Sequence, residues 1–132
     1  MKDLHGRVAV VTGASSGIGR ATAARLAGEG CVLALVDIDG VRLEETAHLV
    51  EAAGVRSSRH LADVSDASQM AALPMEIVEE HGRVNILVNN AGVSVLKTFE
   101  DHSLDDFQWL IGINFWGVVH GCKFFLPVLR EA

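Results

Sequence analysis

Short apolar runs alternate along the chain with longer segments whose apolar residues recur at helical spacing. The clearest runs cover residues 8–12, 31–36 and 86–88, and continuous apolar strands of this kind are typical of a parallel sheet covered on both faces. Residues 58–62 form a weaker run, which we interpret as a strand mainly from its place in the alternation. The alternation as a whole predicts βαβ units.

The segments between the runs predict helices. One opens at Gly17, and the next ends where Gly54 can supply a C-cap. A third opens at Ser65 or Asp66 and contains Pro74. Because proline has no N–H to donate, it should kink this helix or begin a second short helix there.

The final helix should run from Ser103, where residues 103–106 have the capping-box pattern, to about Arg130. These elements predict an α/β fold with a doubly wound parallel sheet in the strand order 3-2-1-4. Residues 1–132 should form a single domain. A complete fold of this kind has further strands, so we expect a sheet truncated after its fourth strand and the following helix.

The chain is acidic, with a net charge of −6 and a pI near 5.4. Such a surface disfavours nucleic acid as a partner, and no Lys/Arg cluster offers a local binding patch. A ligand that carries phosphates must therefore be held mainly by backbone amides.

The cysteines and the last apolar segment bear on metals, disulfides and membranes. Cys31 and Cys122 are far apart and lack CxxC spacing, which argues against a zinc site or a disulfide framework. Residues 113–129 are apolar but interrupted by Asn114 and Lys123, so we expect no membrane span. The N-terminus has no apolar stretch of signal-peptide length. We therefore expect a reduced, cytoplasmic protein without a bound metal.

A glycine-rich turn follows the first strand and opens the first helix. It reads Thr12-Gly13-Ala14-Ser15-Ser16-Gly17-Ile18-Gly19. A pyrophosphate needs backbone N–H donors, the positive end of a helix, and side chains that stay out of its way. In this interpretation Gly13 allows the sharp turn, Gly17 lets the phosphates approach, and Gly19 permits close packing of helix and strand. Ser15 and Ser16 can add hydroxyl donors.

Asp37 follows the second strand, at the position where a carboxylate can accept hydrogen bonds from the hydroxyls of an adenosine ribose. A negative charge there would repel a 2′-phosphate, which favours NAD over NADP. Asp39 is a nearby alternative, but Asp37 directly follows the apolar run and fits the position better. An exposed aspartate at a strand end, with no ligand, is the other interpretation.

With these residues in place, the chain resembles the short-chain dehydrogenase/reductase family from about residue 6 to residue 129, as its N-terminal, cofactor-binding portion with a Rossmann fold. The resemblance rests on the 12–19 turn and on further matching residues, namely Asp63, Val64, Asn89, Asn90, Ala91, Gly92 and Asn114. It implies that Asp63 and Val64 hold an adenine ring. It also implies that residues 89–92 contact the adenosine half through the backbone, with a structural role for Asn89. Asn114 would belong to the catalytic tetrad and hold a proton-relay water.

The chain departs from that family in two places. Asn85 stands where members usually carry aspartate, which is a minor difference. The family's acid–base tyrosine and its lysine, in a Tyr-x-x-x-Lys arrangement, lie beyond the asparagine, whereas this chain contains no tyrosine. Reduction of a carbonyl by hydride needs a proton donor near the oxygen. We therefore expect the chain by itself to be inactive.

The resemblance implies an NAD-dependent oxidoreductase that transfers hydride between its nicotinamide cofactor and an alcohol or ketone. A non-catalytic nucleotide-binding or interaction protein is the alternative. A third possibility is an S-adenosylmethionine-dependent methyltransferase, which has a similar α/β fold and an acidic residue after the second strand. The spacing of the glycine-rich turn and residues 89–92 argue against it.

The final helix is apolar on more than one face, which is typical of a helix buried all round. Phe107, Ile111, Val118 and Phe125 lie on one stripe with Asn114. Gly117 and Gly121, four residues apart, permit close backbone approach. In the family this helix packs against its counterpart in another subunit, so we expect a homo-oligomer formed through residues 103–130.

Overall fold

The computed structural model describes residues 3–132, which include four strands. They are β1 (Val8–Thr12), β2 (Val32–Asp37), β3 (Ser57–Leu61) and β4 (Ile86–Val88). All neighbouring pairs are parallel, and the spatial order is β3-β2-β1-β4, which confirms the predicted order. Parallel strands in this order bring all four carboxyl ends to one edge of the sheet.

The helices are α1 (Gly17–Gly28), α2 (Gly40–Ala52), α3 (Ala67–His81), α4 (Leu104–Ile111) and α5 (Gly117–Glu131), with a π-helical turn at Gly112–Trp116. Apolar residues of α1 and α2 pack on one face of the sheet. Those of α3 and α5 pack on the other face. The predicted doubly wound α/β fold is therefore confirmed.

Helix α3 continues through Pro74, so the predicted possibility of a second helix starting there is wrong. Asp66 caps the helix, with its side chain accepting a hydrogen bond from the amide of Gln69. Pro74 is buried on the same stripe as Met70 and Ile77. Apolar burial at this position offsets the backbone hydrogen bond that proline cannot make.

The final helical segment begins as predicted but is neither uniform nor buried all round. The capping box is present, because Ser103 Oγ accepts from the amide of Asp106 at 3.0 Å and Asp106 Oδ2 accepts from the amide of Ser103 at 3.1 Å. In the described chain, the buried residues of this segment are Gly117, Gly121 and Phe125. In a single chain α3 and the sheet cover one side of this segment only, so core packing within the chain does not bury it all round.

Residues Leu104–Glu131 are also long and apolar enough to cross a membrane by length and composition alone, with a mean hydropathy of 1.2. A helix that packs against protein passes the same test, so this feature is weak support for a membrane span. Its apolar face is mostly uncovered in a single chain.

Candidate cofactor-binding cleft

A cleft of about 410 Å³ opens at the carboxyl edge of the sheet. It brings together eleven of the residues that the sequence singled out, Gly13, Ser15, Ser16, Gly17, Ile18, Asp37, Asp63, Val64, Asn90, Ala91 and Gly92. Ile38, Ala62, Val93 and Ile113 complete the lining. Such an edge, where the strand order reverses, is the usual ligand position in open α/β sheets.

Glycine occupies three positions of the turn between β1 and α1 for different structural reasons. Gly13 has φ +66°, and a Cβ there would lie 2.8 Å from Cα of Ala91. Gly17 has φ +54° and open space where a Cβ would project, so its surface is free for a ligand. Gly19 lies behind the cleft, where a Cβ would overlap the carbonyl oxygen of Gly13. Its close contacts are therefore with Gly13 of the turn and with the side-chain amide of Asn90, and not with the strand as predicted.

The N-terminus of α1 has no capping side chain within the described residues, since Ser16 makes no such hydrogen bond. Helices α2 and α3 are instead capped by Asp39 and Asp66. The first amides of a helix have no intrahelical partner and carry partial positive charge. In α1 they remain available to an anion in the cleft.

A hydrogen-bond network behind the turn fixes its shape. Arg20 donates from Nη2 to the carbonyl of Ser15 at 2.7 Å and from Nε to Oγ1 of Thr46 at 2.9 Å. Thr46 in turn donates to the carbonyl of Ala14 at 2.7 Å. Sequence reasoning missed this network, because nothing in the pattern indicates that α1 and α2 place these two residues together.

Asp37 organises the backbone at the end of β2. Its Oδ2 accepts from the amide of Ser15 at 3.2 Å, while Oδ1 accepts from the amides of Ile38 at 2.7 Å and Asp39 at 3.1 Å. The carboxylate remains on the surface of the cleft. Asp39 is engaged elsewhere, since it accepts from the amide of Arg42 at 3.0 Å as the cap of α2. Of the two aspartates, Asp37 therefore lines the cleft and Asp39 caps α2.

The loop after β4 is tied to the glycine-rich turn by Asn90. Its Nδ2 donates to the carbonyls of Thr12 and Gly13, both at 3.2 Å. Oγ1 of Thr12 accepts from the amides of Asn90 at 3.0 Å and Ala91 at 3.1 Å. The contacts that tie this loop to the turn are thus made by Asn90. Asn89 instead faces α5, with its Nδ2 3.5 Å from Sγ of Cys122.

Asn114 lies in the π-helical turn, is exposed, and directly follows Ile113 of the cleft lining. Its Oδ1 accepts from the amide of Val93 and its Nδ2 donates to the carbonyl of Val93, both at 2.8 Å. Gly92 lies directly against it, since a Cβ there would be 3.3 Å from the same Oδ1. Asn114 therefore positions the loop after β4, an arrangement that no local spacing of residues could predict.

Asp63 and Val64 form the wall of the cleft beyond β3. Oδ1 of Asp63 accepts from the amide of Ser65 at 2.9 Å and from its hydroxyl at 2.6 Å. Val64 is 7% exposed and lines the cleft, while its side chain packs in the core against Gly117 of α5. Within residues 3–132, no group of three or more His, Cys, Asp or Glu side chains is arranged to hold a metal ion.

Comparison with known proteins decides the family. Residues 7–132 match the family model described as short chain dehydrogenase. The chain belongs to the short-chain dehydrogenase/reductase family. The oxidoreductase UcpA of Escherichia coli is 41% identical over 127 residues, covering 96% of this chain and 48% of UcpA. The chain thus spans about half the length of the curated short-chain dehydrogenase/reductase relatives that it matches at this level.

Several solved structures similar to this chain carry bound nucleotides, and two of them show the range. A short-chain dehydrogenase/reductase from Burkholderia phymatum in complex with NAD is 39% identical, with a TM-score of 0.94, over 99% of this chain and 47% of that one. An alcohol dehydrogenase from Thermococcus sibiricus, complexed with 5-hydroxy-NADP, is 40% identical, with a TM-score of 0.89, over 95% of this chain and 54% of that one. The two relatives therefore hold different nicotinamide nucleotides.

Proposed function

We propose that the cleft binds NAD(H) and that the protein is an NAD-dependent oxidoreductase acting on an alcohol or ketone. The observation that carries the proposal is the arrangement of the cleft. The uncapped N-terminus of α1 lies in its middle, with Asp37 on the β2 side and residues 90–92 on the β4 side. A dinucleotide needs this layout, with the pyrophosphate at the helix end and one nucleoside on either side.

Preference for NAD over NADP is proposed from Asp37. Its carboxylate can accept hydrogen bonds from ribose hydroxyls, and it would face the extra phosphate of NADP with a like charge. Family membership alone leaves the choice open, because one relative is bound to NAD and another to a derivative of NADP.

The nicotinamide cofactor supplies or accepts the hydride when bound. The residues of this chain would hold its adenosine and pyrophosphate, and Asn114 would position the loop after β4. Since the sequence contains no tyrosine, we expect these 132 residues by themselves to bind nucleotide without turnover. A non-catalytic nucleotide-binding protein is the alternative, and this absence of tyrosine is the observation that favours it.

We further propose a homo-oligomer that forms through the segment from Ser103 to Arg130. Trp116 is 50% exposed and Phe115 54% exposed on this segment, and large uncovered apolar surfaces usually mark interaction sites. A cytoplasmic location is proposed from the cysteines, because both are free and Cys122 is exposed. An exposed free thiol is typical of a reducing compartment.

Nucleotide binding can be tested with two valine substitutions that each place a side chain at a positive φ. Gly17 and Gly54 both have positive φ, and a Cβ at either position meets open space. Only Gly17 faces the cleft. We expect Gly17→Val to abolish NADH binding in a calorimetric titration and Gly54→Val to preserve it. Unchanged binding by a folded Gly17→Val variant would contradict the proposed site.

A further inference from the structure

The wall of the cleft beyond β3 is held from outside by one histidine of α5. Nδ1 of His120 lies 2.7 Å from the carbonyl oxygen of Val64. A carbonyl can only accept, so Nδ1 carries the proton and donates. The contact joins residues that are 56 positions apart in the sequence.

Several features fix the histidine and the valine relative to each other. Gly117, one turn before His120, lies against Val64, and a Cβ there would be 2.7 Å from Cγ2 of that valine. The His120 ring lies between Trp116 and Phe124, with ring centroids 6.2 Å and 6.1 Å away. The close packing at Gly117 brings α5 near enough for the hydrogen bond, and the neighbouring rings orient the imidazole.

The position of Val64 determines which part of a ligand it would contact. Val64 and Asp37 lie on the β3 and β2 side of the glycine-rich turn, whereas residues 90–92 lie on the β4 side. If the pyrophosphate binds at the end of α1 and a ribose binds at Asp37, the base attached to that ribose lies against Val64. This base is adenine in NAD.

We infer that His120 is a positioning residue for cofactor binding, which holds the Val64 carbonyl and so sets the wall against which the adenine packs. The inference rests on the proposed function. His120 does not line the cleft and acts only through Val64. Without its hydrogen bond, the wall can shift while the sheet and helices keep their places.

The test compares three variants. His120→Phe keeps an aromatic ring between Trp116 and Phe124 but removes the donor. His120→Asn keeps an N–H donor near the position of Nδ1 but removes the ring. His102→Phe is the matched control, because His102 also contacts a backbone carbonyl, that of Lys97, and also lies beside an aromatic ring, away from the cleft.

Calorimetric titrations with NADH, AMP and reduced nicotinamide mononucleotide give the readout, and circular dichroism checks the fold. We expect His120→Phe to weaken binding of NADH and AMP by about fivefold to tenfold, which is typical of losing one hydrogen bond. Reduced nicotinamide mononucleotide lacks adenine, so its affinity for His120→Phe should equal its affinity for the unaltered chain. His120→Asn should return AMP binding to within about twofold, and His102→Phe should stay within the same limit.

Three results would overturn the inference. Normal AMP binding by His120→Phe would show that the wall does not depend on the hydrogen bond. Loss of fold in that variant would show that His120 holds the fold as a whole. Failure of His120→Asn to recover binding would show that the donor is not what matters. Absence of NADH binding by the unaltered chain would instead overturn the proposed function, and the inference with it.

Discussion

At the residue scale, Ser58, His60 and His81 form a hydrogen-bonded cluster between β3 and α3. Oγ of Ser58 lies 2.6 Å from Nε2 of His60 and 2.7 Å from Nε2 of His81. His60 is 4% exposed and donates from Nδ1 to Oε1 of Glu76 at 2.7 Å. Within the described residues, Nδ1 of His81 is buried without a hydrogen-bond partner. A proton added at that atom would have no acceptor.

This cluster predicts a pH dependence of stability. Burial lowers the pKa of His81 below its ordinary value, with Arg56 and His60 adding to the decrease and Glu80 opposing it. The unfolded chain therefore takes up a proton at His81 at higher pH than the folded chain does. Stability is then greatest above a pH of about 6.5 and falls as the pH drops below it.

Urea unfolding at about pH 8 and about pH 5.5 measures this effect. His81→Gln keeps an N–H donor near Ser58 but cannot titrate, so it should lose less unfolding free energy between the two pH values than the unaltered chain loses. The values at the higher pH serve as the reference for each protein. Equal losses in the two proteins would contradict the role given to His81.

The sequence predicted the residues of the cleft better than the hydrogen bonds between them. Gly13, Gly17 and Asp37 could be found because a turn and a strand end require specific residue types at specific spacings. The contact of Arg20 with Thr46, and that of His120 with Val64, join distant parts of the chain. No local spacing encodes such contacts, because they depend on how α1 packs on α2 and how α5 packs on α3 and the loop before it.

At the element scale, the final helical segment shows where sequence reasoning was incomplete. The capping box at Ser103 was predictable because its pattern is local. The π-helical turn at Gly112–Trp116 was not, since apolar periodicity does not reveal one extra residue in a turn. The turn contains Asn114, which bonds to the backbone of Val93. π-helical turns often occur at functional sites.

The close approach of α5 to β4 predicts a stability effect within this segment. A Cβ on Gly121 would overlap the side-chain amide of Asn89, whereas a Cβ on Gly112 would make ordinary contact, 3.6 Å from Cβ of Ser65. We expect Gly121→Ala to lower the free energy of unfolding by about 1–3 kcal/mol, which is typical of overpacking. Gly112→Ala should have no effect or stabilise by up to about 1 kcal/mol. Urea unfolding of both variants measures the difference, and equal stabilities would refute the proposed close contact.

At the scale of the whole molecule, a single chain leaves the apolar side of the segment Leu104–Glu131 mostly exposed. Fully burying one phenylalanine side chain contributes roughly 1.5–3 kcal/mol, and several large side chains here are half exposed. Covering them in an oligomer would therefore contribute a large part of a typical domain stability of about 5–15 kcal/mol. The sequence predicted an apolar helix, but only the packing of α3 and the sheet shows which side stays open.

We therefore expect the chain to be a dimer or larger assembly at micromolar concentration. Trp116→Glu should dissociate or precipitate it, because a charge would then be buried in the interface. Leu49→Glu is the matched control, since Leu49 is 51% exposed on α2, which packs on the opposite face of the sheet. Light scattering measures the mass. The proposal would be contradicted if the unaltered chain were a monomer, or if Trp116→Glu kept the mass of the unaltered assembly. Binding of a monomer to lipid vesicles would indicate that this segment contacts a membrane instead.

The proposed preference for NAD depends on one charge, that of Asp37 at the edge of the cleft. Asp37→Asn removes that charge while keeping one carbonyl oxygen to accept backbone hydrogen bonds. Asp39→Asn removes a charge two residues away, and asparagine preserves the cap of α2. The first substitution should narrow the difference in affinity between NADH and NADPH, and the second should leave it nearly unchanged. If Asp39→Asn narrowed the difference in affinity and Asp37→Asn did not, Asp39 would be the residue that faces the ribose.

The most direct test of the proposed function is the dissociation constant of the unaltered chain for NADH and for NADPH, measured by calorimetry under the same conditions. A cleft with phosphate-binding amides at α1 and a carboxylate at Asp37 should bind NADH at least about tenfold more tightly, which corresponds to about 1.4 kcal/mol. Equal or tighter binding of NADPH would contradict the proposed preference, and failure to bind either nucleotide would contradict the proposed site.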